Sequence, residues 1–214
     1  MRERIIANNK KHLKSLISEQ IKLYGTECDL NHIDISKVID LSFLFHNSNC
    51  EFNGDISKWD MSSATNVNYL FYNSKFNGDI SLWNVSSVMN MSYLFEDSKF
   101  TGDISNWNTS NATDMSNLFA ESKFNKNISA WDVSNVTDMS YLFYNSQFKG
   151  DLYSWKPLNV EKNGEMYLNC KAPVPYWFGD NNEEIVKKIE SYDLFNKISS
   201  ELNDKEIKTK QMKI

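Results

Sequence analysis

From Phe52 onward the apolar positions follow neither a helical nor a strand period alone. Trp59, Trp83, Trp107, Trp131 and Trp155 recur every 24 residues, and so do Phe52, Phe76, Phe100, Phe124 and Phe148. A fixed period of this length is the signature of a repeat architecture. Within one unit the apolar columns are Phe52, Ile56, Trp59, Met61, Ala64, Val67, Leu70 and Phe71. The stretch Ile56-x-x-Trp59-x-Met61 has leucine-rich-repeat spacing, whose alternating end predicts a short strand in a parallel sheet. The later columns step by three and four, which predicts a short helical or 3₁₀ turn. Ser36, Ser62, Ser86, Ser110 and Ser134 stand where that turn needs an N-cap.

One such unit cannot bury its own apolar columns, whereas stacked units turn each column into a ladder. The pattern therefore predicts an α/β repeat fold, a leucine-rich-repeat-like solenoid of about five 24-residue units over residues 30–155. Between Phe45 and Phe52 lie two more residues than between Phe71 and Phe76, an excess placed in a loop around Asn49 and Cys50. After Trp155 the pattern decays, and Pro157, Pro173 and Pro175 mark residues 156–180 as a degenerate closing turn. The open ends of a stack need covers. Residues 1–29 supply one as a helix, with Ile6, Leu13, Leu16, Ile17, Ile21 and Tyr24 as its stripe. Residues 181–214 supply a second helix and a charged tail, with Ile185, Ile189, Tyr192, Phe195, Ile198 and Leu202 at three- and four-residue steps and fraying expected from Lys205.

The copy running from Asn127-Ile128-Ser129-Ala130-Trp131-Asp132-Val133-Ser134 through Asn135-Val136-Thr137-Asp138-Met139-Ser140-Tyr141-Leu142-Phe143 closely resembles the BspA-like surface-protein repeat, a leucine-rich-repeat relative. The resemblance covers about residues 30 to 155. It implies an interaction scaffold without catalytic residues, of the kind carried on bacterial surfaces, phages and mobile elements.

Composition narrows the classes. With 41% apolar and 14% aromatic residues the 214-residue chain can build a core, and a net charge of -5 argues against direct nucleic-acid binding. No apolar run at the N-terminus fits a signal peptide or a membrane span, which points to a cytoplasmic protein. Cys28, Cys50 and Cys170 are too scattered for a disulfide framework and read as free thiols. The scarcity of arginine, only Arg2 and Arg4, hints at an AT-rich bacterial or phage source. The charge is uneven: residues 1–24 carry six basic and two acidic side chains (+4), residues 181–214 seven of each, and residues 25–180 ten basic and nineteen acidic (-9).

Candidate chemistry is sparse. No phosphate loop, nucleophile elbow or zinc-protease motif occurs, and His12, His32 and His46 stand in three different contexts. Asp55, Asp79, Asp103 and Asp151 offer one carboxylate per unit, fewer than calcium needs around one point. Neither a metal nor a cofactor is expected, and no catalytic residue. Asn66, Asn90, Asp114 and Asp138 form a polar column that reads as a hydrogen-bonding ladder.

Inward columns must repeat, so the columns that vary are the candidates for recognition. One row runs Lys58, Leu82, Asn106, Ala130 and Ser154, beside Asp60, Asn84, Asn108, Asp132 and Lys156. On the opposite turn, Tyr69, Tyr93, Asn117 and Tyr141 precede Tyr72, Glu96, Ala120 and Tyr144. Tyrosines beside carboxylates suit an interface, though such rings could also pack flat between units. The expected function is a protein-interaction module that occludes a basic protein partner through its acidic surface, with a cell-surface adhesin as the alternative.

Overall fold

The computed structural model describes residues 3–47 and 51–211, with side chains through Leu202. The loop placed around Asn49 and Cys50 lies outside the described residues, as does the end of the charged tail from Met212. Four regular elements occur in the order β1 (Ile5–Ile6), α1 (Lys10–Tyr24), β2 (Ile33–Asp34) and α2 (Asn182–Gln211). β1 pairs with β2 in parallel, Ile5 opposite Ile33 and Ile6 opposite Asp34. Ile6 thus belongs to a strand and not to the N-terminal helical stripe. The Asn9 side chain accepts the His12 amide to start α1, and Gly25, with φ 82°, ends it. Leu13, Leu16, Ile17 and Gln20 form the buried face between those caps.

Between β2 and α2 the described residues hold turns and isolated parallel bridges, with neither helix nor extended strand. The expected strand over 56–61 does not form. The Trp59 amide donates back to the Ile56 carbonyl at 3.1 Å and the Ala64 amide to Met61 at 2.9 Å, so this segment closes on itself in successive turns. The bridges fall instead on the polar column, linking Asp40, Asn66, Asn90, Asp114, Asp138 and Lys162 in sequence.

The expected helical turn is replaced by a ladder of another kind. In residues 67–73 the odd amides point to the following unit: Val67, Tyr69, Phe71 and Asn73 donate to the carbonyls of Asn90, Ser92, Leu94 and Glu96 at 2.8–3.1 Å. The even ones stay within the unit, with Leu70 donating to Val67 and Tyr72 to Tyr69. A helix is impossible here because Tyr69 and Asn73 sit at φ 55° and 47°. Two such left-handed residues recur in each unit, from Phe43 and Asn47 to Glu165 and Asn169. Asn and Asp accept that conformation readily, whereas at Tyr69, Tyr93 and Tyr141 it costs about 1–3 kcal/mol each. The bond each of these tyrosines donates to the next unit offsets that cost.

Serine is also not the cap the spacing predicts. The capping group is the Asp or Asn two residues earlier, whose Oδ1 accepts the serine amide: Asp60 from Ser62, Asn84 from Ser86 and Asp132 from Ser134, at 2.9–3.2 Å. The polar column works in the same way, Asn90 taking Ser92 and Asp114 taking Ser116 at 2.9 Å. Each of these Oδ1 atoms therefore bonds within its own unit while the backbone carries the bridge, and Asp138 adds an ion pair to Lys162 of the next unit at 3.4 Å.

Inside, three aromatic ladders run the length of the array. Phe52, Phe76, Phe100, Phe124 and Phe148 stack at 6.1–6.5 Å between centroids. The ladder from Phe45 through Phe71, Phe95 and Phe119 to Phe143 stacks at 5.7–5.8 Å. Each tryptophan from Trp59 to Trp155 donates its indole N–H to a carbonyl of the preceding unit, as Trp83 does to Ile56 at 3.0 Å, so no indole is left unpaired in the core. Trp177 continues the series by donating to Leu152 at 2.9 Å. Residues 156–180 thus keep the ladder contacts after losing the consensus, with Val160 and Met166 buried. Gly54 fits the same tight stacking, since a Cβ there would come within 2.0 Å of the Cys28 carbonyl oxygen.

Candidate interaction surface

The two candidate rows occupy different segments of the unit. Lys58, Leu82, Asn106, Ala130 and Ser154 all point to solvent on either side of the buried tryptophans, and Leu82 is 88% exposed. The neighbouring Asp60, Asn84, Asn108, Asp132 and Lys156 are exposed as well. Hydrogen bonds from the Ser62 hydroxyl and amide hold the Asp60 carboxyl below its ordinary range, so it is a fixed negative charge at neutral pH. Asp79 and Asp103 are lowered in the same way, mainly by the amides of Ser81 and Ser105. Their carboxylates are thus committed to turns. Among the described residues no group of three or more His, Cys, Asp or Glu side chains is arranged to hold a metal ion.

The tyrosine row divides. Tyr69 and Tyr93 stack face to face at 4.2 Å, and Phe43 extends the stack at 4.5 Å. The flat packing between units therefore holds for this stretch. Tyr72 meets Tyr69 edge-on at 5.4 Å. Burial, followed by the neighbouring Tyr93, pushes the Tyr69 phenol up to about 12. Asn117, half-buried, interrupts the stack, and Ala120 in the adjacent column is buried, so Ala120 presents no recognition group. Beyond them Tyr141 and Tyr144 form a separate edge-on pair at 5.6 Å, with Tyr141 exposed.

Glu96 sits beside the first cluster, half-buried, with its Oε2 unpartnered among the described residues. Burial, then the charges of Glu121 and Asp97, raises its pKa to about 7. The two flanking carboxylates did not stand out in the sequence, although both fall in the variable part of the turn. Phe43 was legible too: Leu41-Ser42-Phe43-Leu44-Phe45 lines up with Val67-Asn68-Tyr69-Leu70-Phe71 once the two-residue excess is allowed for. Phe43 also receives the Lys10 ammonium 5.9 Å above its ring, and Lys10 pairs with Asp40 at 3.0 Å and with the Ser42 hydroxyl. These contacts tie α1 to the first unit.

Ladders of aromatic rings, one bridge per unit and two left-handed residues per turn define a repeat protein whose units stack in register. The chain belongs to the family described as Mycoplasma protein of unknown function, DUF285, whose model matches residues 12–122, 73–177 and 96–204. Overlapping matches of one model along a single chain are what a repeat array produces. No curated protein and no solved structure matches the chain. No helix among the described residues is long and apolar enough to cross a membrane.

Proposed function

We infer that the chain is a non-catalytic protein-interaction module, a leucine-rich-repeat-like solenoid of the BspA-like kind that engages and occludes a basic protein partner. The observation that carries this reading is the separation of charge, -9 over residues 25–180 against +4 and 0 on the two flanks. A concentrated negative surface accelerates encounter with a basic partner and discriminates against acidic ones. The row from Lys58 to Ser154 supports it further, because it varies at a constant pitch while the tryptophans between its members do not. Its setting is the cytoplasm of a bacterial cell, as an inhibitor or adaptor carried by a phage or mobile element.

The test is a pull-down from bacterial lysate with the tagged full chain at low and high salt, beside an Asp60→Lys, Asp132→Lys variant. Both positions are exposed, and the expected result is one enriched basic protein that is lost in the variant and at high salt. Retention that ignores both salt and charge reversal overturns the electrostatic reading. Capture of extracellular ligands alone moves the chain to the surface-adhesin reading.

A further inference from the structure

The C-terminal helix does two different things along its length. Ile185 and Ile189 are buried against the array, the Tyr192 ring stacks on Tyr176 at 4.1 Å, and Asp193 pairs with Lys156 of the array at 2.6 Å. From Glu190 through Leu202 every residue is exposed except Ser199, which is half-buried. That exposed stretch is not uniformly polar. Leu194, Phe195, Ile198 and Leu202 are 58%, 65%, 48% and 60% exposed and lie at helical spacing on one stripe. Large apolar side chains concentrated on one helix face mark a contact surface, whereas single ones scattered over a protein do not.

The helix supplies its own support for standing clear of the array. Acidic residues at 183, 184, 193, 201, 204 and 206 are each followed four positions later by lysine, at 187, 188, 197, 205, 208 and 210. An acid four residues before a lysine is the favourable order for pairing along a helix. Glu183 with Lys187 and Glu184 with Lys188 make such pairs at 2.6 Å in the docked first turns, where the spacing begins, while Asp193 turns to Lys156. The outer helix is therefore an arm built to stay helical while it presents an apolar stripe.

We propose that this arm pairs antiparallel with the same arm of a second copy of this chain. Charge selects both the partner and the orientation. Residues 190–211 carry five acidic and four basic side chains, so two arms meet with little net repulsion, and the slight negative excess offers an anionic bilayer no attraction. The arrays, at -9 each, repel. A parallel pair would bring them side by side. An antiparallel pair centred on the stripe, with Phe195 opposite Leu202, sets the two Glu190 positions about 25 Å apart at 1.5 Å per residue, about three screening lengths at physiological salt. The seam is then Phe195, Ile198 and Leu202 against the same residues of the copy.

The experiment is sedimentation velocity on the full chain from low to high micromolar concentration, with Phe195→Asp and Ile198→Asp variants and with anionic vesicles as a separate arm. The expected result is a concentration-dependent dimer whose mass changes little with salt. Each variant is expected to be a monomer with an unchanged circular dichroism spectrum and melting temperature. A chain that stays monomeric at the highest concentration overturns the proposal, whether or not vesicles capture it. A dimer that survives both substitutions does so too, and one that forms only at high salt overturns the antiparallel arrangement. The arm variants leave Asp60 and Asp132 intact, so a failure here is distinguishable from a failure of the charge-based capture.

Discussion

The two helices at the ends of the array carry similar apolar stripes in sequence and meet different fates. α1 buries Leu13, Leu16 and Ile17 and sends Lys10 onto Asp40 and Phe43, so most of its stripe is spent on the first unit. α2 buries Ile185 and Ile189 and then leaves Leu194, Phe195, Ile198 and Leu202 in solvent. A stripe records that a helix has an apolar side, and its period says nothing about what lies opposite. The lesson extends to the term covering helix itself: α1 covers an end of the stack, while α2 covers one with its first three turns, as far as Tyr192 and Asp193, and reaches outward with the rest.

The comparison can be broken by substitution. Leu13→Ala empties a fully buried site and should cost about 3 kcal/mol in denaturant unfolding. A loss near zero would mean that α1 rests loosely on the array. Asn9→Ala removes the acceptor of the His12 amide and should cost about 1 kcal/mol in the same measurement. Glu96→Gln tests the array between the two helices, and here the sign depends on pH. An acid whose pKa rises on folding from 4.5 to about 7 is taken up protonated, so its contribution is complete below 4.5 and is lost as pH climbs through 7. Thermal melts should therefore coincide for the variant and the original at pH 4 and favour the variant at pH 8. Equal melting temperatures at both would remove Glu96 as a strained group. Phe195→Ser, on the arm, should change stability by less than about 0.5 kcal/mol at low protein concentration. A cost as large as that of Leu13→Ala would erase the distinction between the two helices.

Much of the architecture was legible because it rests on a spacing. The 24-residue period, the buried columns and the inter-unit stacking of Trp and Phe all follow from which positions repeat. The local backbone was not legible, since a tyrosine at φ 59°, as at Tyr93, contradicts its own preference and is held by a bond to the Ser116 carbonyl 23 residues away. Strand and helical-turn expectations failed for that reason: both are local rules, and this backbone is set between units. Trp177 escaped the pattern because it follows Trp155 by 22 residues and not 24, yet its indole finds the equivalent carbonyl. Of the candidate surface, the Lys58 to Ser154 row is outward as its variability implies, while Ala120 varies because it is small and enclosed. Glu96 shows a limit of a different sort, as its raised pKa comes from burial and neighbouring charge that no alphabet of columns records.

The odd amides of residues 67–73 all donate to the unit after, while the Thr65 and Asn66 amides and the tryptophan indoles donate to the unit before. Every internal unit therefore presents the same two complementary faces, each with its own donors and acceptors, like a stacking cup. Any such unit fits on any other, so a gene can gain or lose 24 codons in the middle of the array without leaving an unmatched joint. The pieces that cannot be swapped are the two ends, and copy number is free to drift only between them.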